Sequence, residues 1–205
     1  MTGSREVSEA IVSRRSVRKF KDTPVLDRTV ADLVALACAA PAPHHSRPWR
    51  FAHIVSQDAR LALSDAMSDA WRSDLDESGA SVHDIDRLLR RSRAQIEEAP
   101  VLLIACLVHD EAKDWQDDVR RRAERDMFVQ SLGAALQNIL LAAAERGLVG
   151  YLRGAPLFCA DAVKEASSLP DDWEPAFLVL LGYPPDGYTP PERPPVDPYE
   201  YLIGR

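Results

Sequence analysis

The amino-acid sequence predicts an α+β fold from three observations. Short apolar runs with strand character alternate irregularly with segments of helical periodicity, a very long apolar helix dominates the second half, and the C-terminal stretch is rich in proline. A regular βαβαβα succession, which would signal a doubly wound parallel sheet, is missing. With 205 residues and 46% hydrophobic content the chain can bury one sizeable core, and no internal repeat divides it. Residues 1–205 are therefore read as a single domain, with 184–205 as a Pro-rich extended arm lying over another surface, such as a partner subunit.

Val7, Ala10 and Ile11 are spaced for a short amphipathic helix from Val7 to about Ser13, which runs into the basic cluster Arg14-Arg15-Ser16-Val17-Arg18-Lys19-Phe20. After the turn signal Asp22-Thr23-Pro24, Asp27 is placed to cap a helix whose apolar face is Val30, Leu33, Val34 and Ala37, stopped by Pro41 and Pro43. A loop carrying His44-His45-Ser46-Arg47-Pro48 follows. Trp49 to Val55 has the aromatic and β-branched character of a strand, and Leu61 to Trp71 returns to helical spacing. The acidic, glycine-containing residues 74–79 read as a mobile lid or loop. Ser81-Val82-His83-Asp84 is a capping-box pattern ahead of Ile85, Leu88, Leu89 and Ile96; Pro100 closes that helix before the apolar strand Val101 to Val108.

Arg120 to Arg146 is the strongest helix, charged at first and then apolar around most of its cylinder, so its second half must be buried. Gly147 sits where a C-terminal stop belongs. Val149 to Leu152 reads as a short edge strand, Ala160 to Ser167 as a helix, and Ala176 to Leu181 as a buried strand.

A formal charge of −7 and a pI near 5.3 argue against nucleic acid as the partner, since phosphate neutralisation needs a basic surface. The three cysteines, Cys38, Cys106 and Cys159, are far apart and set in apolar sequence, which predicts buried free thiols rather than disulfides or a metal knuckle. No apolar leader or stretch long enough to span a bilayer is read, and a cytoplasmic protein with no membrane partner is expected.

Three segments offer chemistry. In Arg14-x-Ser16-x-Arg18, alternate residues of an extended chain point the same way, which outlines a phosphate cradle; a solvated basic turn at a helix C-terminus fits the same residues. Pro41 to Phe51 is a rigid loop offering His44, His45, Arg47 and Arg50, and it reads as a ligand loop or a surface turn. Adjacent histidines with no third ligand at a metal-binding spacing make a poor zinc site, so no metal is expected. Gly147-Leu148-Val149-Gly150-Tyr151-Leu152-Arg153-Gly154 permits close backbone approach to a flat ring, or is merely a helix stop with a tight turn; it follows a helix and so is not a dinucleotide-binding fingerprint.

Together these segments resemble the nitroreductase superfamily, whose members open with a helix and Arg-x-Ser-x-Arg/Lys-x-Phe, continue with Pro-Ser-x-x-Asn-x-Gln-Pro-Trp-x-Phe, and carry a long apolar helix ending in Gly-Leu-Gly. The match in order and spacing runs from Ile11 to about Arg193. The resemblance implies a central, mostly antiparallel sheet flanked by helices in an intertwined homodimer, with FMN at the interface. It implies that Arg14, Arg15, Ser16 and Arg18 hold the flavin's phosphate, ribityl chain and pyrimidine edge, and that Arg193 completes the phosphate clamp. His44, His45 and Arg47 would approach from the neighbouring subunit, and the amide at Gly154 would face the redox nitrogen.

His45 and Arg47 stand where the family has Asn and Gln, and Ala42 where it has Ser. Pro-Ala-Pro-His-His-Ser-Arg-Pro, Trp71 to Leu75 and Leu169 to Pro175 resemble the C-terminal FMN domain of coenzyme F-420:γ-glutamyl ligase, here standing alone. That implies reduction of a dehydro precursor of coenzyme F-420 or another deazaflavin-linked substrate, with F-420 or NAD(P)H as co-substrate. The alternatives are a general NAD(P)H-dependent nitro or quinone reductase, a non-catalytic flavin or deazaflavin carrier, and a structural dimer.

Overall fold

The computed structural model describes residues 7–204 and has, in order, α1 (Val7–Ser13), α2 (Asp27–Ala37), a 3-10 turn (Pro43–His45), β1 (Trp49–His53), α3 (Gln57–Glu77), α4 (Val82–Glu97), β2 (Val101–Leu107), α5 (Asp118–Glu145), β3 (Val149–Arg153), a 3-10 turn (Ala155–Phe158), α6 (Ala160–Ala166), β4 (Glu174–Gly182) and a last 3-10 turn (Pro198–Glu200). The four strands form one antiparallel sheet in the order β1-β2-β4-β3, as an α+β fold requires.

β2 explains the two-layered core. All seven of its residues are buried, and successive side chains point to opposite faces. Val101, Leu103, Ala105 and Leu107 pack with Leu33 of α2 and Phe128, Leu132, Leu136 and Ile139 of α5. Leu102, Ile104 and Cys106 pack with Leu63 and Met67 of α3, Ile96 of α4 and Val163 of α6. A strand covered on both faces reads as a continuous apolar run, which is why its sequence shows no alternation.

Several expectations are corrected. Residues 74–77 form the last turn of α3, and Gly79, at φ +75, turns the chain into α4; the acidic stretch is no open loop. Asp27 is the first residue of α2 and caps nothing, because Leu26 holds the capping position without a side-chain hydrogen bond. Cys106 is fully buried, and burial pushes its thiol up to about 12, whereas Cys38 and Cys159 are half-buried. α5 has an 18-residue window long and apolar enough to cross a membrane, but 56% of it is buried inside the domain, as befits a core helix. Ser81 does cap α4, accepting from the Asp84 amide, and Gly147 at φ +73 follows the end of α5.

Candidate active site

The basic segment after α1 runs beside β3. Ser16 forms an isolated parallel bridge with Gly150, and the Val17 amide donates to the Gly150 carbonyl at 3.2 Å. A side chain at Gly150 would collide with the Leu180 carbonyl oxygen and the Leu181 side chain, so glycine is what lets β3 lie this close to β4. Two of the motifs separated by more than a hundred residues thus become neighbours.

The C-terminal arm joins them. Arg193 Nη2 donates to the Arg14 carbonyl at 2.7 Å, and Arg15 Nε donates to the Pro191 carbonyl at 2.7 Å. At these residues the arm lies against its own chain. Burial, then Arg193 and Arg15, lower the Arg14 guanidinium below the ordinary arginine value. Among the described residues none of the three has a carboxylate partner in an ion pair. Like charges gathered without a counterion make a site prepared for an anion.

Beside this cluster, β3 and the turn after it face α3 and α4 across a cavity of about 790 Å³. Its lining includes Arg18 and Gly154, both expected at the site, together with Arg91, Arg153 and Asp74. Arg18 lies over the Tyr151 ring at 5.2 Å from the centroid, while the Tyr151 hydroxyl donates to Gln95 Oε1 at 2.8 Å. Arg153 is held by Ser92, through Oγ at 2.5 Å and the carbonyl at 3.3 Å. Burial raises the Tyr151 hydroxyl and lowers the Arg153 guanidinium; Arg153, Arg18 and Arg91 pull the tyrosine the other way.

Ser92, Gln95, Arg91 and Trp71 also line this cavity, and the sequence reading missed them. One signal was available: Ser92 interrupts the buried stripe Ile85, Leu89, Ile96 with a hydroxyl.

The loop from Pro43 to Pro48 stands apart. His44 (φ 57) and His45 (φ 59) both adopt left-handed backbone, a costly conformation for non-glycine residues that clusters at functional sites. Ser46 ties the loop to itself, its hydroxyl donating to the Pro43 carbonyl at 2.6 Å. His44 and His45 are exposed, Arg47 reaches only the Cys38 carbonyl at 3.5 Å, and none of the three lines the cavity. Arg50 is paired with Asp110 at 2.7 Å.

Near the start of β4 a smaller cavity of about 230 Å³ is lined by His109, Glu124 and Glu174 among others. There the buried Glu124 accepts from the Lys113 amide at 3.0 Å and from Trp115 Nε1 at 3.1 Å.

Known proteins resemble this chain in sequence and in fold. The sequence model of the nitroreductase family matches residues 11–183. A Bacillus subtilis protein named as an NAD(P)H nitroreductase, YfhC, is 26% identical over 191 residues, covering 92% of this chain and 89% of its own. Among solved structures, a BluB-like flavoprotein from Clostridium difficile superposes with a TM-score of 0.77 at 22% identity, covering 98% of this chain and 99% of its own. The NADPH:FMN oxidoreductase of Vibrio harveyi superposes with a TM-score of 0.71 at 23% identity, covering 97% and 76%.

Proposed function

As the chain belongs to the nitroreductase family, we propose that this oxidoreductase holds FMN across the Arg14–Arg18 segment and the cavity beside it. The observation that carries the reading is the convergence of Arg14, Arg15 and Arg193, without carboxylate partners among the described residues, on the segment whose Arg18 lines a large and mostly apolar cavity. In this reading the three arginines take the phosphate, Ser16 the ribityl chain and Arg18 the pyrimidine edge. Gly154 leaves its amide open toward the redox nitrogen; a side chain there would press within 3.2 Å of the Phe177 ring.

When bound, FMN supplies two-electron hydride chemistry between a reduced donor and an electron-poor acceptor. The protein's part is electrostatic and steric. Arg18 and Arg153 offer positive charge to the reduced state from fixed positions, on Tyr151 and Ser92 respectively, so little reorganisation is needed. His44, His45 and Arg47, stranded from the cavity in one copy of the chain, fit a homodimer in which the loop serves the partner's flavin. The strained backbone of the two histidines supports that role.

NAD(P)H is the donor that the name of the B. subtilis relative favours. Reduction of a dehydro precursor of coenzyme F-420 is the narrower alternative, and it rests on sequence motifs alone. Under anaerobic conditions, FMN-loaded protein should bleach on addition of NADPH and regain colour with a nitro or quinone acceptor. Flavin that stays oxidised with NADPH and NADH but bleaches with reduced F-420 would transfer the reading to the deazaflavin. Flavin that responds to none of them would reduce the protein to a carrier.

A further inference from the structure

We infer that Arg91 anchors an anionic group on the acceptor, so that the enzyme favours apolar-bodied, negatively charged acceptors over neutral ones of the same shape. The inference rests on the FMN reading above and concerns the wall of the cavity, built by α3 and α4, on which that reading places nothing.

Three guanidiniums line the cavity, and two are engaged: Arg18 stacks on Tyr151 and Arg153 is held by Ser92. Arg91 has no hydrogen-bond or ion-pair partner among the described residues, although two other arginines of α4 do: Arg87 pairs with Asp84 at 2.8 Å, and Arg93 pairs with Asp65. Arg90, also on α4, is likewise without such a partner among the described residues, and of the two only Arg91 lines the cavity.

Asp74 is the single carboxylate in the lining, and it does not come within ion-pair distance of Arg91. Three positive groups against one negative leave the cavity a surplus of positive charge. The lining on α3 and α4 also includes Met67, Trp71 and Leu88, which offer a flat or branched body an apolar seat. A guanidinium presents paired N–H donors that match a carboxylate or phosphate, and the apolar wall beside it strengthens the attraction relative to open water. Arg91 itself remains exposed, so the expected effect is moderate.

The test compares 4-nitrobenzoate with 4-nitrobenzamide, two acceptors of the same shape that differ in charge. Binding is followed through quenching of the bound flavin's fluorescence and by calorimetry, and turnover through KM. The wild-type protein is expected to prefer the benzoate by about tenfold in both Kd and KM, and the preference should shrink as salt is raised. Arg91→Gln should abolish the preference while retaining FMN, and Arg91→Lys should keep part of it. Equal affinity in the wild type, or a preference that survives in Arg91→Gln, overturns the proposal. So does loss of FMN from Arg91→Gln alone, which would make Arg91 a flavin ligand and leave the flavin reading standing. If the wild-type protein retains no FMN, the flavin reading fails by itself. Calorimetry on the flavin-free chain then decides for Arg91: a benzoate preference that Arg91→Gln removes supports the anion site, and its absence overturns it.

Discussion

Arg14 feels the positive charge of Arg193 and Arg15 and has no carboxylate ion-pair partner among the described residues, an arrangement that an arriving anion would relieve. Arg14→Ala should therefore weaken FMN binding by roughly 1.5–3 kcal/mol, about ten- to a hundredfold, the worth of a charge-assisted hydrogen bond; fluorescence titration with FMN reads it directly, and unchanged affinity would remove Arg14 from the site. A second residue-scale expectation concerns Cys106. Its folded-state value of about 12 lies above the 9.0 of a free thiol, so the folded protein holds this proton more tightly than the unfolded chain. The corresponding stability is fully present below pH 9.0 and is lost as pH rises toward about 12. Urea midpoints measured across that range should fall, and Cys106→Ala should fall less steeply after its own cavity cost is subtracted; equal slopes would contradict the assignment. The arginines and Ser16 were legible as a motif because alternation along an extended segment is a local property. Ser92, Gln95 and Arg91 were not, because a helix-face residue becomes part of a site only once the helix is docked against β3.

At the scale of elements, caps, periodicity and glycine stops located most helices and strands, and the misplacements have physical causes. The end of α3 carries Arg72, Ser73, Asp74, Asp76 and Glu77 toward solvent, so it has the composition of a loop while keeping helical geometry. The histidine loop was recognised by its prolines, but its left-handed backbone was not, since neither residue is glycine. One connection is fastened in part by a buried carboxylate. Residues 108–117 between β2 and α5 are fastened by Glu124, whose carboxylate accepts from the Lys113 amide and the Trp115 indole. Glu124→Ala leaves both donors without that acceptor and should cost about 1–3 kcal/mol in thermal or urea unfolding. Glu124→Gln, which keeps an acceptor oxygen, should cost less; if the two variants are equally stable, the hydrogen bonds are not what holds the loop.

Over the whole molecule, the α+β class was foreseeable from pattern and the antiparallel sheet flanked by helices from the family resemblance, whereas no local pattern foretold the assembly of the site. The cradle, the glycine segment and the arm are distant in sequence, and only the bridge between Ser16 and Gly150 and the contact of Arg193 with Arg14 bring them together. The apolar side chains of α1 (Val7, Ile11, Val12) and of the C-terminus (Tyr199, Tyr201, Leu202, Ile203) are exposed. The proposed dimer draws on this, as it does on the isolated histidine loop. All of it depends on the flavin. The decisive measurement is the visible absorption spectrum of the purified protein after incubation with FMN and desalting: retained oxidised-flavin bands near one FMN per chain are the predicted result, and a colourless protein would contradict the account at its centre.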